Sequence, residues 1–138
     1  FDEDIESIVV EEILRMPHRF KLVYINVVAG NLTVPTATVQ MEVDGQLLQE
    51  AGFGDGPVDA TFKTIKKITR TKSKLLQFAI NAITSGTEAQ GEVTVRLEEK
   101  GYVVIGQGAD TDVIVASAKA YINALNKMEF KKQKLVGM

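Results

Sequence analysis

The sequence of 138 residues contains no cysteine and a single histidine, His18. Without cysteine there is no disulfide bond and no thiolate chemistry, which is compatible with a reducing cytosol. One histidine cannot build a histidine-based metal site, and we expect His18 to be a surface residue of a connector beside Pro17. The sequence therefore predicts no catalytic machinery, no metal site and no cofactor in this chain.

Long apolar runs and a strong charge of either sign are also missing. No apolar segment approaches the length of a membrane span, and the acidic N-terminus is unlike a signal peptide. A formal net charge of -2 and a pI near 5.5 argue against nucleic acid or an anionic membrane as the main partner. With 45% hydrophobic residues the chain can bury the core of one domain. We expect a cytoplasmic protein.

Residues 2–16 have the pattern of a helix. Acidic residues occupy its first turn, where negative charge is favoured, and Pro17 ends it. Apolar residues keep a helical period at Ile5, Ile8, Val9, Ile13 and Met16. Because the sequence starts at Phe1 without an initiator methionine, we interpret this helix as the end of a larger preceding part.

The following residues predict an α+β fold made of two pseudo-repeated βββα units, over about 20–70 and 72–128. Alternating apolar and polar residues predict half-buried antiparallel strands. The turn dipeptide Asp44-Gly45 joins the second and third strands. The predicted strands of the first unit cover 20–28, 36–43 and 46–51, and its helix runs from Pro57 to about Thr69.

The second unit repeats the pattern after a polar break at 70–74. Its predicted strands cover 75–83, 93–97 and 102–105, and its helix runs from about Thr111 to Lys127. Asp110 or Thr111 is the expected N-cap, because both residue types accept hydrogen bonds from helix amide groups. Residues 84–91 are predicted to form a loop, and 129–138 a solvated C-terminal tail.

A glycine-rich turn is predicted between the third strand and the helix of each unit. Gly52-Phe53-Gly54-Asp55-Gly56 precedes Pro57, and Gly106-Gln107-Gly108 follows 54 residues later. Glycine allows sharp turns and close approach of a ligand, and a helix N-terminus offers amide groups to a carboxylate or phosphate. With Asp55 to hold an ammonium group, the first turn predicts an α-amino-acid site. Asp59 and Asp112 are better explained as turn or capping residues.

A dinucleotide site is disfavoured, because its glycine motif would follow the first strand of a parallel βαβ unit. No P-loop sequence is present either.

Three motifs follow one another along the chain: Gly-Asp-Gly-Pro-Val-Asp-Ala at 54–60, Gly-Thr-Glu-Ala-Gln-Gly-Glu-Val at 86–93, and the segment 106–121. In this order they resemble the C-terminal regulatory domain of 2-isopropylmalate synthase, a family with close relatives that make citramalate. The likeness spans roughly residues 20–128. It assigns residues 1–18 to the end of a linker subdomain, 19–128 to the regulatory domain and 129–138 to a tail.

The resemblance implies a domain that forms a homodimer and binds leucine, the end product that inhibits the enzyme from a distance. In that family a catalytic barrel of the same polypeptide condenses acetyl-CoA with 2-oxoisovalerate, using a divalent metal that the barrel holds. The barrel is absent from this chain, so the resemblance implies a sensor that does not catalyse. In citramalate-forming relatives the effector is isoleucine.

Carried over by position, the resemblance implies an effector pocket of nine residues. We expect residues 54–56 to hold the α-amino and α-carboxylate groups, and Leu75 and Phe78 to line a slot for the branched side chain. Where the family commonly has Asp-Tyr, this sequence has Gln77-Phe78, which removes a hydroxyl hydrogen bond worth about 1 kcal/mol. The pocket residues are Gly54, Asp55, Gly56, Val58, Leu75, Phe78, Ala82, Ala89 and Ala109.

Three alternatives stay open at this point. The effector is isoleucine rather than leucine, the chain is a purely structural dimerisation module, or it binds a nucleotide or acyl-CoA. A hydrophobic pocket separates two shapes as similar as leucine and isoleucine by only about 1–3 kcal/mol.

Overall fold

A computed structural model describes the backbone of residues 18–85 and 88–136, and their side chains apart from 82–85, 88, 89, 135 and 136. The predicted α+β fold with two βββα units is confirmed. The helix predicted over 2–16 lies outside the described residues. The elements are β1 Phe20–Gly30, β2 Thr33–Val43, β3 Gln46–Phe53, α1 Pro57–Thr69, β4 Lys74–Ser85, β5 Glu88–Glu99, β6 Tyr102–Asp110 and α2 Val113–Val136.

Each unit contributes one antiparallel three-stranded sheet, with the orders β1-β2-β3 and β4-β5-β6. The central strands carry the core, since Val39 of β2 and Val95 of β5 are fully buried with their neighbours two residues away. The turns that join β2 to β3 and β5 to β6 each contain two residues with positive φ, Asp44-Gly45 and Lys100-Gly101. Such a pair of left-handed residues matches the twist of the flanking strands. The predicted hairpins are therefore confirmed.

Corresponding residues of the two units are 56 positions apart in the sequence. The first residues of the two helices, Pro57 and Val113, have this separation. The register shifts in β1 and β4 have it too, because they lie opposite Met41 and Gln40 in the first sheet and opposite Leu97 and Arg96 in the second. The spacing of 54 read from the glycine motifs is therefore wrong by two residues, and the structural partner of Gly52 is Gly108.

Helix α1 begins and ends as predicted. Pro57 occupies its first turn, where no amide partner is needed, and Arg70 ends it in the left-handed conformation with its amide donating to Lys66 O at 2.8 Å. Three threonines of α1 are buried. Their hydroxyls donate to carbonyl groups one turn earlier, so burial leaves them satisfied; these are Thr61, Thr64 and Thr69.

Gly106 and Gly108 are strand residues of β6 and do not form the predicted turn. A Cβ atom on Gly106 would lie 2.3 Å from Ala120 O, and one on Gly108 would lie 2.6 Å from both Ala116 O and Ala120 N. These two glycines therefore let α2 pack directly onto the backbone of β6. Gly52 has the same role in β3, where a Cβ would meet Thr64 Oγ1 at 2.7 Å.

Two further expectations for the second unit are wrong. Residues 84–91 do not form a long loop, because β4 continues to Ser85 and β5 begins at Glu88, with Thr84 paired to Ala89. Helix α2 does not end near Lys127 but continues to Val136, so most of the expected tail is helical. Contacts distant in sequence hold this extension, since Glu129 accepts a hydrogen bond from Arg19 and Lys132 pairs with Glu99.

The two helices cover the sheets unequally. Helix α2 packs against β5 and β6 of its own sheet and also against β1 of the first sheet. Helix α1 packs against β1, β2, β3 and α2, but within the described residues its backbone makes no close contact with the second sheet. Within the described residues, therefore, neither helix packs its backbone closely on β4.

The close packing of α2 on β6 predicts a loss of stability for Gly108→Ala. The added methyl group meets backbone atoms that cannot move aside, and overpacking of this kind costs about 1–3 kcal/mol. Urea denaturation measures the loss. Gly30→Ala is the matched control, because its new Cβ would meet only Thr33 Oγ1 at 3.8 Å. Equal stability of the two variants would contradict this packing.

Candidate functional site

The inner face of β4 is an open apolar surface. Leu75, Phe78 and Ile80 pair with Leu97, Val95 and Val93, so they lie on the same face as the buried core of β5. Yet Leu75 is 42% exposed and Ile80 48% exposed. A face continuous with the core but uncovered is suited to receive an apolar group from outside this chain.

The equivalent face of the first unit shows what is missing. When the two sheets are aligned on their register shifts, Leu22, Ile25 and Val27 of β1 correspond to Leu75, Phe78 and Ile80 of β4. The three β1 residues are partly buried and pack against the core, and both helices contact β1. Phe78 is partly buried in the same way, so the two units differ at Leu75 and Ile80, which are exposed.

A cleft of about 290 Å³ lies between α1 and β4, and we call it the α1–β4 cleft. Leu75 lines it from β4, and Asp59 and Phe62 line it from α1. Tyr121 of α2 lines it as well. Lys63 and Lys66 stand at its rim with the 72–74 segment, and Lys63 is paired with Asp59 at 3.1 Å. The cleft thus combines an apolar wall with charged groups of both signs.

An aromatic cluster joins the three elements around this cleft. The Phe62 ring stacks on Tyr121 with centroids 4.5 Å apart and meets Phe78 edge-on at 5.6 Å. Burial raises the pKa of the Tyr121 hydroxyl to about 12, so it stays protonated and can donate a hydrogen bond at neutral pH. Neither Phe62 nor Tyr121 is among the nine pocket residues expected from the sequence, because the contact between α1 and α2 is what brings them to the cleft.

Two amide groups of the glycine turn before α1 already donate hydrogen bonds within the chain. The Gly54 amide donates to Pro35 O at 3.1 Å, and the Asp55 amide donates to Asp59 Oδ2 at 2.9 Å. That amide first, and then Lys63, holds the pKa of the Asp59 carboxyl below its ordinary value. Asp59 therefore has the structural role that was favoured for it.

The first turns of the two helices differ in what their amide groups meet. Gly56 is the N-cap of α1 and supplies no side-chain cap. The amide groups of Gly56, Val58 and Asp59 donate to no acceptor within residues 18–85 and 88–136. In α2 the carboxylate of Asp112 accepts from Ile114 N at 2.8 Å and Val115 N at 3.4 Å, so Asp112 is the N-cap instead of Asp110 or Thr111. Of the two helices within residues 18–85 and 88–136, α1 is thus the one whose first-turn amide groups have no side-chain cap.

Of the nine predicted pocket residues, Leu75 and Phe78 share the inner face of β4, where Leu75 lines the α1–β4 cleft and Phe78 contacts Phe62 of α1. Gly56 is the N-cap of α1 and Val58 lies in its first turn, and neither is among the residues that line the cleft. Gly54 and Asp55 precede that helix, and Asp55 is exposed. Ala109 is not brought to the cleft, since it lies on β6, the strand farthest from β4, paired with Glu92.

Two of the nine, Ala82 and Ala89, have side chains outside the described part. Their backbones are described, and they pair with Gly91 and Thr84 at the end of the β4–β5 hairpin.

The described part of the chain meets the requirements of neither a metal site nor a membrane-spanning helix. Among residues 18–85 and 88–136 there is no group of three or more histidine, aspartate or glutamate side chains arranged to hold a metal ion. Within the same ranges no helix has both the length and the apolar character needed to cross a lipid bilayer.

The fold and the open cleft define a duplicated α+β domain with one uncovered apolar face. A family model described as the LeuA allosteric (dimerisation) domain matches residues 1–129. The chain belongs to this family.

Curated relatives agree with the family match. The chain is 62% identical over 133 residues to a 2-isopropylmalate synthase of Syntrophus aciditrophicus (strain SB), an alignment that covers 96% of this chain and 26% of the relative. It is 48% identical over 129 residues to that of Heliobacterium modesticaldum, covering 94% and 25%. It is 49% identical over 130 residues to that of Clostridium kluyveri, also covering 94% and 25%. The chain thus spans about a quarter of the length of the relatives it matches.

The lowered pKa of Asp59 predicts a pH-dependent stability difference between the wild type and Asp59→Ala. A carboxyl group whose pKa is lowered by folding stabilises the folded state above its ordinary value, 3.8, and this contribution is lost as the pH falls through the lowered value. The free energy of unfolding of Asp59→Ala should therefore fall below that of the wild type at pH 7, and the difference should shrink below pH 3.8.

Urea denaturation at several pH values measures this difference. Asp55→Ala is the control, because the Asp55 carboxylate has no hydrogen-bond or ion-pair partner within residues 18–85 and 88–136. A gap between wild type and Asp59→Ala that does not change with pH would contradict the assignment.

Proposed function

We propose that this chain is the C-terminal regulatory domain of a 2-isopropylmalate synthase and that it binds leucine as a feedback inhibitor. The match of residues 1–129 to an allosteric domain family carries the proposal. The named activity of the relatives supports the parent enzyme, with its catalytic barrel in the rest of the polypeptide. The geometry of the α1–β4 cleft supports a small amphiphilic ligand.

The branched side chain of the effector would lie on the open face of β4. Leu75 and Phe78 offer aliphatic and aromatic surface there, and Phe62 closes the slot from α1. Covering half-exposed apolar side chains contributes about 25 cal/mol per Å² removed from water. This is the usual source of affinity for a leucine side chain.

The polar end of the effector would lie at the start of α1. The open amide groups of Gly56, Val58 and Asp59 suit a carboxylate, because the helix N-terminus carries a partial positive charge. The exposed Asp55 carboxylate suits the α-ammonium group. The Gly54 and Asp55 amide groups are already engaged, so the carboxylate would bind one residue further along than the turn itself.

A homodimer would bring a second copy against the uncovered strand. The family description names a dimerisation domain, and β4 presents apolar side chains that this chain does not cover. An effector bound between β4 and α1 would then touch the subunit interface. Such a ligand binds one relative arrangement of the subunits better than another, and that difference shifts the equilibrium between them.

Isothermal titration of the protein with leucine tests the proposal, and Leu75→Ala is the informative variant. Loss of the Leu75 side chain removes apolar contact with the ligand, and a single methylene in such a pocket is already worth about tenfold or more in discrimination. We therefore expect leucine affinity to fall at least about tenfold.

Leu47→Ala is the matched control, because Leu47 is also an exposed leucine, 56% against 42% for Leu75, but lies on the outer face of the first sheet, so its loss should leave affinity unchanged. Isoleucine, acetyl-CoA and an adenine nucleotide are titrated in parallel. Tighter binding of isoleucine would indicate a citramalate synthase domain. Binding of only the nucleotide or acyl-CoA, or of nothing, would refute the effector site.

A further inference from the structure

The start of β1 is held by an interlocked set of contacts that the effector site does not use. We call it the entry clasp and define it as Arg19, Phe20, Asp44, Asn126 and Glu129. The buried Asn126 side chain accepts from Phe20 N at 3.0 Å and donates to Phe20 O at 2.9 Å. Because β1 is an edge strand, these Phe20 groups point away from the sheet, and Asn126 satisfies both.

Arg19 extends the clasp in two directions. Its guanidinium donates to both oxygens of Asp44, at 2.9 and 3.0 Å, which ties it to the β2–β3 turn. A third nitrogen donates to Glu129 Oε2 at 2.8 Å, which ties it to α2. Asp44 returns a backbone hydrogen bond to Arg19 O at 2.9 Å. Two consecutive residues are thus fixed through both main chain and side chain.

Helix α2 connects the clasp with the α1–β4 cleft. Tyr121 lines the cleft and stacks on Phe62, while Asn126 and Glu129 grip the start of β1 less than three turns further along the same helix. A helix is stiff over this length, so a displacement of α2 at Tyr121 also displaces Asn126 and Glu129. The clasp then moves the chain immediately before β1.

We propose that the entry clasp is the joint through which effector binding is passed to the part of the polypeptide before residue 18. This inference rests on the proposed function, in which a catalytic barrel precedes the domain. Arg19, Asn126 and Glu129 are positioning residues, since they lie at the clasp and not among the cleft-lining residues. Their role is to fix the direction in which the preceding chain leaves the domain.

The test uses the full-length synthase with Arg19→Met and Glu129→Gln. Leucine affinity by calorimetry should change less than about twofold, because neither residue lines the cleft. Inhibition by saturating leucine should weaken, since a coupling between sites is typically about 5–150-fold and the joint carries it. Asn126 is left intact, because its loss would strand two buried backbone groups and destabilise the domain.

Lys67→Met is the matched control. Each clasp variant breaks two ion pairs. The control breaks the 3.1 Å ion pair between Lys67 and Glu50, which joins α1 to β3 away from the clasp. Its inhibition by leucine should equal that of the wild type.

Unchanged affinity with weakened inhibition in both clasp variants supports the joint. Unchanged affinity with full inhibition overturns it, and so does a loss of affinity, which would make the clasp part of the site's support. Absence of leucine binding by the wild type would refute the proposed function, and the joint with it.

Discussion

The close approach of α2 to the backbone of β6 is the constraint on which the arrangement depends. It requires glycine at Gly106 and Gly108, because a Cβ atom at either position would lie only 2.3–2.6 Å from backbone atoms of α2, well inside van der Waals contact. Held this deep, α2 also reaches β1 and so serves both sheets. The backbone of α1 packs against the first sheet and α2, and only side chains such as Phe62 reach toward β4 among the described residues. The duplicated chain is thus asymmetric where its two units meet.

That asymmetry explains why the two units differ in chemistry at corresponding positions. Helix α2 caps its own N-terminus with Asp112, and the β1 face beside it is covered. Helix α1 begins at Gly56 with open amide groups, and the β4 face near it is half-exposed. An amphiphilic ligand needs a polar and an apolar contact together, and among the described residues the α1–β4 cleft combines an apolar wall with charged groups.

Local pattern predicted most of the fold. The alternation in β2, the hairpin dipeptide Asp44-Gly45 and the proline start of α1 each depend on neighbours in sequence, and each was confirmed. The errors arise where distant contacts decide. Glycine in β6 looks like a turn until α2 is known to lie on it, and polar residues of the α2 extension look solvated until Arg19 and Glu99 are known to bind them.

The candidate site was predicted only in part for the same reason. Leu75 and Phe78 could be assigned by resemblance, and the structure places them on the open face. Phe62 and Tyr121 carry no local signal of a ligand, since each reads as an ordinary buried helix residue. Their role follows from the contact between two helices that are 44 residues or more apart in sequence. The N-cap is at Asp112, not at Asp110 or Thr111, because β6 continues to Asp110 and α2 begins only at Val113.

An aliphatic effector is expected to cover the open face of β4 against α1. Nuclear Overhauser contacts between the methyl protons of bound leucine and labelled side chains of the protein measure this placement. Contacts to the Leu75 methyl groups and the Phe78 ring are expected. Contacts confined to the covered β1 face, at Ile25 and Val27, or binding of leucine without any contact to β4, would contradict it.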